Sequence, residues 1–142
     1  MNFEEKAVDR IKKLEREVER LRVKESPGAW AAWTPTYSQA VLVTAGGGTA
    51  YFRYSVIGKT VFIDIRIWNC TLSSAGTYIG ISLPVAPRTA SSSTALIDVN
   101  AVVSRASVSN GVLGVYRTYG YGGWNGSETS IDISVRMTYE AA

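Results

Sequence analysis

Thr60-Val61-Phe62-Ile63-Asp64-Ile65-Arg66-Ile67-Trp68 is the stretch that decides the fold class. Val61, Ile63, Ile65 and Ile67 fall on one side of an extended chain, and Phe62, Asp64, Arg66 and Trp68 on the other. Strict alternation in a run rich in β-branched residues predicts a strand with one face in a core. Upstream, Ile57-Gly58-Lys59-Thr60 is a turn joining this strand to residues 49–57 as a hairpin. Downstream, Ile131, Ile133, Val135, Met137 and Tyr139 alternate with Asp132, Ser134, Arg136 and Thr138. Weaker strands are expected at 40–44, 77–83, 94–99, 101–108 and 111–119, with Gly, Asn and Ser between them. Short antiparallel strands in this number predict a mainly β domain over residues 30–142, of the β-sandwich or jelly-roll kind.

Residues 1–25 are a different material. They hold 15 of the 27 Lys, Arg, Asp and Glu residues of the 142-residue chain but only one of its 15 aromatic residues, Phe3. Ala7, Ile11, Leu14, Val18 and Leu21 recur with alternating spacings of four and three, which predicts a coiled-coil helix with Ile11 and Val18 at a and Ala7, Leu14 and Leu21 at d. Glu4 and Glu25 occupy the flanking a positions. In a parallel assembly Arg10 at g faces Glu15 at the following e of the neighbour, and Glu17 faces Arg22, each with opposite sign. So short a seam is marginal alone and needs partner helices. Ser26-Pro27-Gly28 is expected to end it, making 26–29 a linker. β-Branched residues at a and Leu at d suit a dimer. The run Arg10-Ile11-Lys12-Lys13-Leu14-Glu15, however, resembles a motif of short trimeric coiled coils, and that resemblance favours three chains.

The composition excludes several chemistries. With no His, Ser-His-Asp catalysis and His-ligated metals are ruled out, and the single Cys70 forms neither an internal disulfide nor a multi-Cys zinc site. Gly46-Gly47-Gly48 lacks the Lys-Ser/Thr tail of a phosphate loop and reads as a hairpin connection. Asp64 and Asp132 are expected to pair with Arg66 and Arg136 rather than to act as a glycosidase dyad. The chain is therefore expected to be non-enzymatic, with no cofactor and no metal. A net charge of +3, not gathered into a basic block, gives no footing for nucleic-acid binding. No apolar run is long enough for membrane insertion, and Met1-Asn2-Phe3-Glu4-Glu5-Lys6 does not read as a signal peptide.

Two surfaces are candidates for contact. Phe62 and Trp68, on the polar side of the deciding strand, are expected to be covered either by the second sheet or by neighbouring subunits, and an oligomer favours the latter. The Gly-rich segment 119–127 carries Tyr119, Tyr121, Trp124 and Asn125, a set suited to binding because rigid aromatic rings supply area at little entropic cost. A plain hairpin tip is the alternative for this segment.

Trp30-Ala31-Ala32-Trp33-Thr34-Pro35-Thr36, the later Ala50-Tyr51-Phe52-Arg53-Tyr54 and Val56-Ile57-Gly58-Lys59-Thr60-Val61, the exit Ile79-Gly80-Ile81-Ser82-Leu83-Pro84 and the closing Val135-Arg136-Met137-Thr138-Tyr139 together resemble bacteriophage fibre and tail-associated proteins. The resemblance covers roughly half the chain and leaves 91–127 unmatched. It implies a homotrimeric virion structural protein, a fibre or tip whose β head attaches to a surface, with other virion proteins and a host glycan or protein as partners. The alternatives are a head-fibre or capsid decoration protein without a host ligand, and a carbohydrate-binding module.

Overall fold

A computed structural model describes residues 2–24, 28–44, 46–88 and 93–142, with the side chains of 21–24 and 93–96 left aside. The described residues form one helix, α1 (Phe3–Lys24), followed by ten strands: β1 (Ala31–Ala32), β2 (Tyr37–Gln39), β3 (Leu42–Val43), β4 (Thr49–Ile57), β5 (Thr60–Leu72), β6 (Ile79–Ser82), β7 (Ser93–Val99), β8 (Val102–Ser109), β9 (Val112–Val115) and β10 (Ile131–Glu140). Glu25, Ser26 and Pro27, expected at the helix end, and Ser91-Ser92 of the polar crossing lie outside the described residues.

The helix begins with a capping box. The Asn2 Oδ1 accepts the Glu5 backbone N–H at 2.8 Å, and a Glu5 carboxylate oxygen accepts the Asn2 N–H at 3.0 Å. Glu4 and Glu5 also place negative charge at the positive end of the helix dipole.

The strands form a curled, open antiparallel sheet in the order β1-β4-β5-β10-β7-β8-β9-β6-β2, with β3 paired to β5. The expected hairpin forms between β4 and β5, Ile57 opposite Thr60, with Gly58 at φ 59°. Two-residue turns also connect β7, β8 and β9. Asn100-Ala101 and Asn110-Gly111 both have positive φ at both positions, as primed hairpin turns require.

β5 is longer than the alternating stretch and changes parity along its length. Val61, Ile63, Ile65 and Ile67 are buried, and after a bulge at Trp68–Asn69 so are Cys70 and Leu72. Asn69 sits at φ 48°, and β10 steps from Ile133 opposite Ile67 to Ile131 opposite Cys70, two residues against three. The bulge hands β5 from β4, which ends at Thr49 opposite Trp68, to β3, which begins at Val43 opposite Thr71.

Residues 31–43 determine the curl. β1 lies at one end of the sheet and β2 at the other, yet only four residues separate them. A chain advances at most about 3.6 Å per residue, so the two edges must come together. Trp33 spans the gap. Its backbone N–H donates to the Phe52 carbonyl on β4, and its indole N–H donates to the Ser82 carbonyl on β6, each at 3.1 Å. Its ring packs edge-on against Phe52 and Tyr54. At Gln39, φ 62°, the chain swings from β6 to β5, and the Ser74 hydroxyl braces the corner by donating to the Gln39 carbonyl and accepting the Val41 N–H. Inside the curl, Ile65 and Val135 from one half of the sheet and Ile81, Val108 and Leu113 from the other are all fully buried.

Gly48 and Ala101 give opposite stability predictions. A Cβ on Gly48 would stand 2.5 Å from the Asn69 carbonyl oxygen at the bulge. Gly48→Ala should therefore cost about 1–3 kcal/mol through overpacking. Ala101, at φ 61°, carries a Cβ where a primed turn favours glycine. Ala101→Gly should raise stability by up to about 1 kcal/mol. Urea unfolding of the two variants beside the parent measures both signs.

Candidate functional site

The outward side of α1 is one candidate surface. Ile11, Leu14 and Val18 are each about half exposed, and with Glu15 and Glu19 they line a shallow groove on the helix. Ala7 is part-exposed on the same seam, and Phe3 at its start is 86% exposed. Arg10 and Glu15 stand exposed beside it, while Glu17 pairs with Arg20 on its own helix at 2.5 Å. Leu21, the last residue of the expected seam, is helical, and its side chain lies outside the described set.

The segment 116–130 divides the residues expected to act together. Tyr119 and Tyr121 are about half exposed, and both rings face Arg105 of β8, whose guanidinium carbon lies 4.6 Å from each ring centroid. An Arg105 Nη1–H donates to the Tyr121 hydroxyl at 2.5 Å, and Tyr116 meets the Tyr121 ring edge-on, centroids 4.7 Å apart. Burial pushes the Tyr116 hydroxyl above the usual phenol range, helped by Tyr78 and Tyr121. The result is a half-exposed cationic–aromatic platform. Such a platform can stack on a planar or ring-shaped ligand and donate hydrogen bonds.

Trp124 is a correction to the expected surface. It is 3% exposed, its indole N–H donates to the Val115 carbonyl at 2.8 Å, and its backbone exchanges two hydrogen bonds with Gly76. A Trp in a Gly-rich loop had suggested an exposed anchor. Here the glycines let the backbone approach Gly76 so that the ring can enter the core. Asn125 stays exposed, with its N–H bound by Glu128. Arg105, the centre of the platform, was not singled out from sequence. Its place opposite buried Ser104 and Ala106 marks it as outward-facing, but nothing local marks the tyrosines as its partners.

The outer face of β4, β5 and β10 is the third surface. Trp68 is about half exposed against Tyr51, and Phe62 is half-buried. Asp64 is buried beneath Arg53, Arg66 and Arg136. The pairing with Arg66 is as expected, but Arg136 also turns to Asp64 rather than to Asp132. The reason is register, since Arg136 is the residue directly opposite Asp64. Asp132 instead accepts the Asn69 N–H at 2.8 Å at the bulge. The two carboxylates therefore serve separate structural contacts. Cys70 is fully buried, and burial pushes its thiol above the ordinary range, so it stays protonated at neutral pH. Among the described residues no group of three or more His, Cys, Asp or Glu could hold a metal ion, and no helix is long and apolar enough to cross a membrane.

Glu128 braces the platform loop from within. Its two carboxylate oxygens accept the Asn125 and Gly126 N–H groups at 2.7 and 2.9 Å, and Arg117 lies 3.6 Å away. Burial alone would raise its pKa, but those backbone donors and Arg117 outweigh it and hold the carboxyl below the usual glutamate range. A folded-state pKa below the unfolded one adds stability above the unfolded value, and that stability is lost as pH falls through the folded value. Glu128→Gln should therefore cost about 1–3 kcal/mol at neutral pH. The gap to the parent should close as pH drops below the ordinary glutamate pKa of 4.5. Denaturant unfolding of parent and variant across that range measures it, and a constant gap would refute the role.

No family model, no curated protein and no solved structure matches this chain.

Proposed function

We propose that this chain is a non-enzymatic structural and adhesive protein. Three copies align in parallel through α1 and display their β domains for attachment to a surface, in the manner of the bacteriophage fibre and tail-associated proteins that its sequence resembles. In this reading the curled sheet is a sandwich-type head. The two buried halves of the sheet face each other, and residues 37–43 switch between them as corner strands do.

The observation that carries the proposal is the apolar seam standing exposed on an otherwise charged helix. Half exposed in water, Ile11, Leu14 and Val18 each forgo roughly half of the about 1.5–3 kcal/mol that full burial of such a side chain gives. A second copy is the occupant that the flanking residues fit. In a parallel, in-register pair the first three g positions meet a complementary e position of the neighbour: Phe3 meets Val8, Arg10 meets Glu15 and Glu17 meets Arg22. Phe3 and Val8 are both exposed, and their contact would extend the seam past Glu4. The helix alone supports this assembly; burial of Phe62 and Trp68 between heads is a separate contact that the proposal does not need.

A second reading, a saccharide-binding module without a fibre context, draws support from the Tyr119–Arg105–Tyr121 platform. It places the contact on those three residues and takes Trp124 out of it.

Sedimentation equilibrium of the intact chain at micromolar concentration tests the assembly. The proposal predicts three times the 15.4 kDa chain mass. Leu14→Asp with Val18→Asp should return the mass to that of one chain while the sheet stays folded by far-ultraviolet circular dichroism. A parent that sediments as a monomer would refute the proposal.

A further inference from the structure

On the outer face of the sheet, one row of the β4–β5–β10 ladder reads Arg53, Asp64, Arg136, and the next reads Tyr51, Arg66, Ser134. Three guanidiniums converge there on one carboxylate. Arg53 Nη2 lies 2.5 Å from Asp64 Oδ2, while Arg66 Nε and Arg136 Nε each lie 3.6 Å from Oδ1. Only the Arg53 contact is a hydrogen bond, and the buried Oδ1 has no hydrogen-bond partner. One negative charge thus holds three positive ones close together. The Asp64 side chain is 5% exposed, whereas those of Arg53, Arg66 and Arg136 are 47%, 30% and 71% exposed, so the surplus charge faces outward.

A single arginine would satisfy Asp64 as a structural ion pair. Two more held alongside like charges are costly unless something negative meets them. The nearest other carboxylate on this face is Asp98, opposite Ser134 and beside Arg136 in a neighbouring groove. Counting Asp98 still leaves the surroundings of the three arginines positive, because Asp132, the other outward carboxylate of this stretch of β10, is engaged at the bulge by the Asn69 N–H. Arg53, Asp64 and Arg136 line an open groove of about 470 Å³ with Trp30, Phe62 and Met137. The Trp30 ring is about half exposed, and the Arg53 guanidinium carbon lies 5.4 Å from its centroid.

The geometry points to this groove as a binding site for an acidic saccharide, a pyranose bearing a carboxylate or sulfate. The oxyanion would take the outward N–H groups of Arg136 and Arg53, the two arginines that line the groove, whose planar forks match paired oxygens. The apolar face of the sugar ring would lie on Trp30. The volume suits one or two such rings. A nucleic-acid strand fits less well, because its evenly charged backbone would run from the three arginines onto Asp98. The site is complete within one chain, so it does not rest on the three-chain assembly.

Calorimetric titration of the intact protein tests this with five probes: hyaluronan fragments for the carboxylate, heparin fragments for the sulfate, neutral dextran fragments, inorganic sulfate and a single-stranded oligonucleotide. At least one acidic saccharide should bind, dextran should not, and the affinity should fall as added salt screens the charges. Arg136→Gln and Trp30→Ala should each weaken saccharide binding roughly tenfold, with Trp30→Ala leaving the response to inorganic sulfate unchanged. Both positions are exposed enough for the variants to fold, which circular dichroism checks. Equal binding of acidic and neutral saccharides, binding that survives both substitutions, or tighter binding of the oligonucleotide would overturn the proposal. So would a lack of saccharide binding, including the case where Arg136→Gln changes the sedimenting mass, which would assign this face to contacts between copies.

Discussion

The structure depends on the crossing made by residues 31–43. An antiparallel sheet with one apolar face is stable only when that face is covered, and this chain covers it by bending the sheet over itself. Trp33 holds the two ends of the sheet together with one hydrogen bond to β4 and one to β6, and the corner at Gln39 carries the chain from β6 to β5. The fully buried Ile65, Val135, Ile81 and Leu113 follow from that closure, because none of them is covered while the edges stay apart. The bulge at Asn69 is the matching adjustment on the other side of the gap, where β5 changes partners.

The same alternation that fills the core lays out the surface. Each β4, β5 and β10 residue between two core residues faces outward, and this places three arginines around Asp64 without any contribution from a loop. The tyrosine platform is built otherwise. Its loop is held from below by the buried Trp124 and from the side by Glu128, leaving Tyr119 and Tyr121 to rest on Arg105 of a regular strand. Both surfaces thus take their rigidity from the sheet.

The longest periodic elements were legible in the sequence. Val61 to Ile67 and Ile131 to Tyr139 face inward as their alternation predicts, and the hairpin at Gly58-Lys59 forms. The two- and three-residue strands β1, β2 and β3 were not, since a segment that short shows no period and is extended only because other strands supply its partners. The parity change at Asn69 was hidden for a related reason. A bulge is set by the need to exchange β4 for β3, a long-range event with no local signature beyond one Asn. Of the expected contact residues, Tyr119, Tyr121, Trp68 and Phe62 reach the surface at least in part, and Trp124 does not. Whether a tryptophan in a flexible loop turns in or out depends on a distant acceptor, here the Val115 carbonyl. The convergence of Arg136 on Asp64 likewise needed the register of β10 against β5.

The helix remains the part of the chain whose apolar residues its own fold does not use. Its seam, its capping box and its complementary g and e positions are mutually consistent, and that agreement supports the proposed parallel assembly. The most direct test is the distance between copies. Spin labels placed in separate samples at Lys6 and at Arg20, near the two ends of the helix, should each give one short inter-chain dipolar distance in the intact protein. A parallel, in-register alignment brings both ends together with their own counterparts. Long distances at both positions, or none at either, would contradict it.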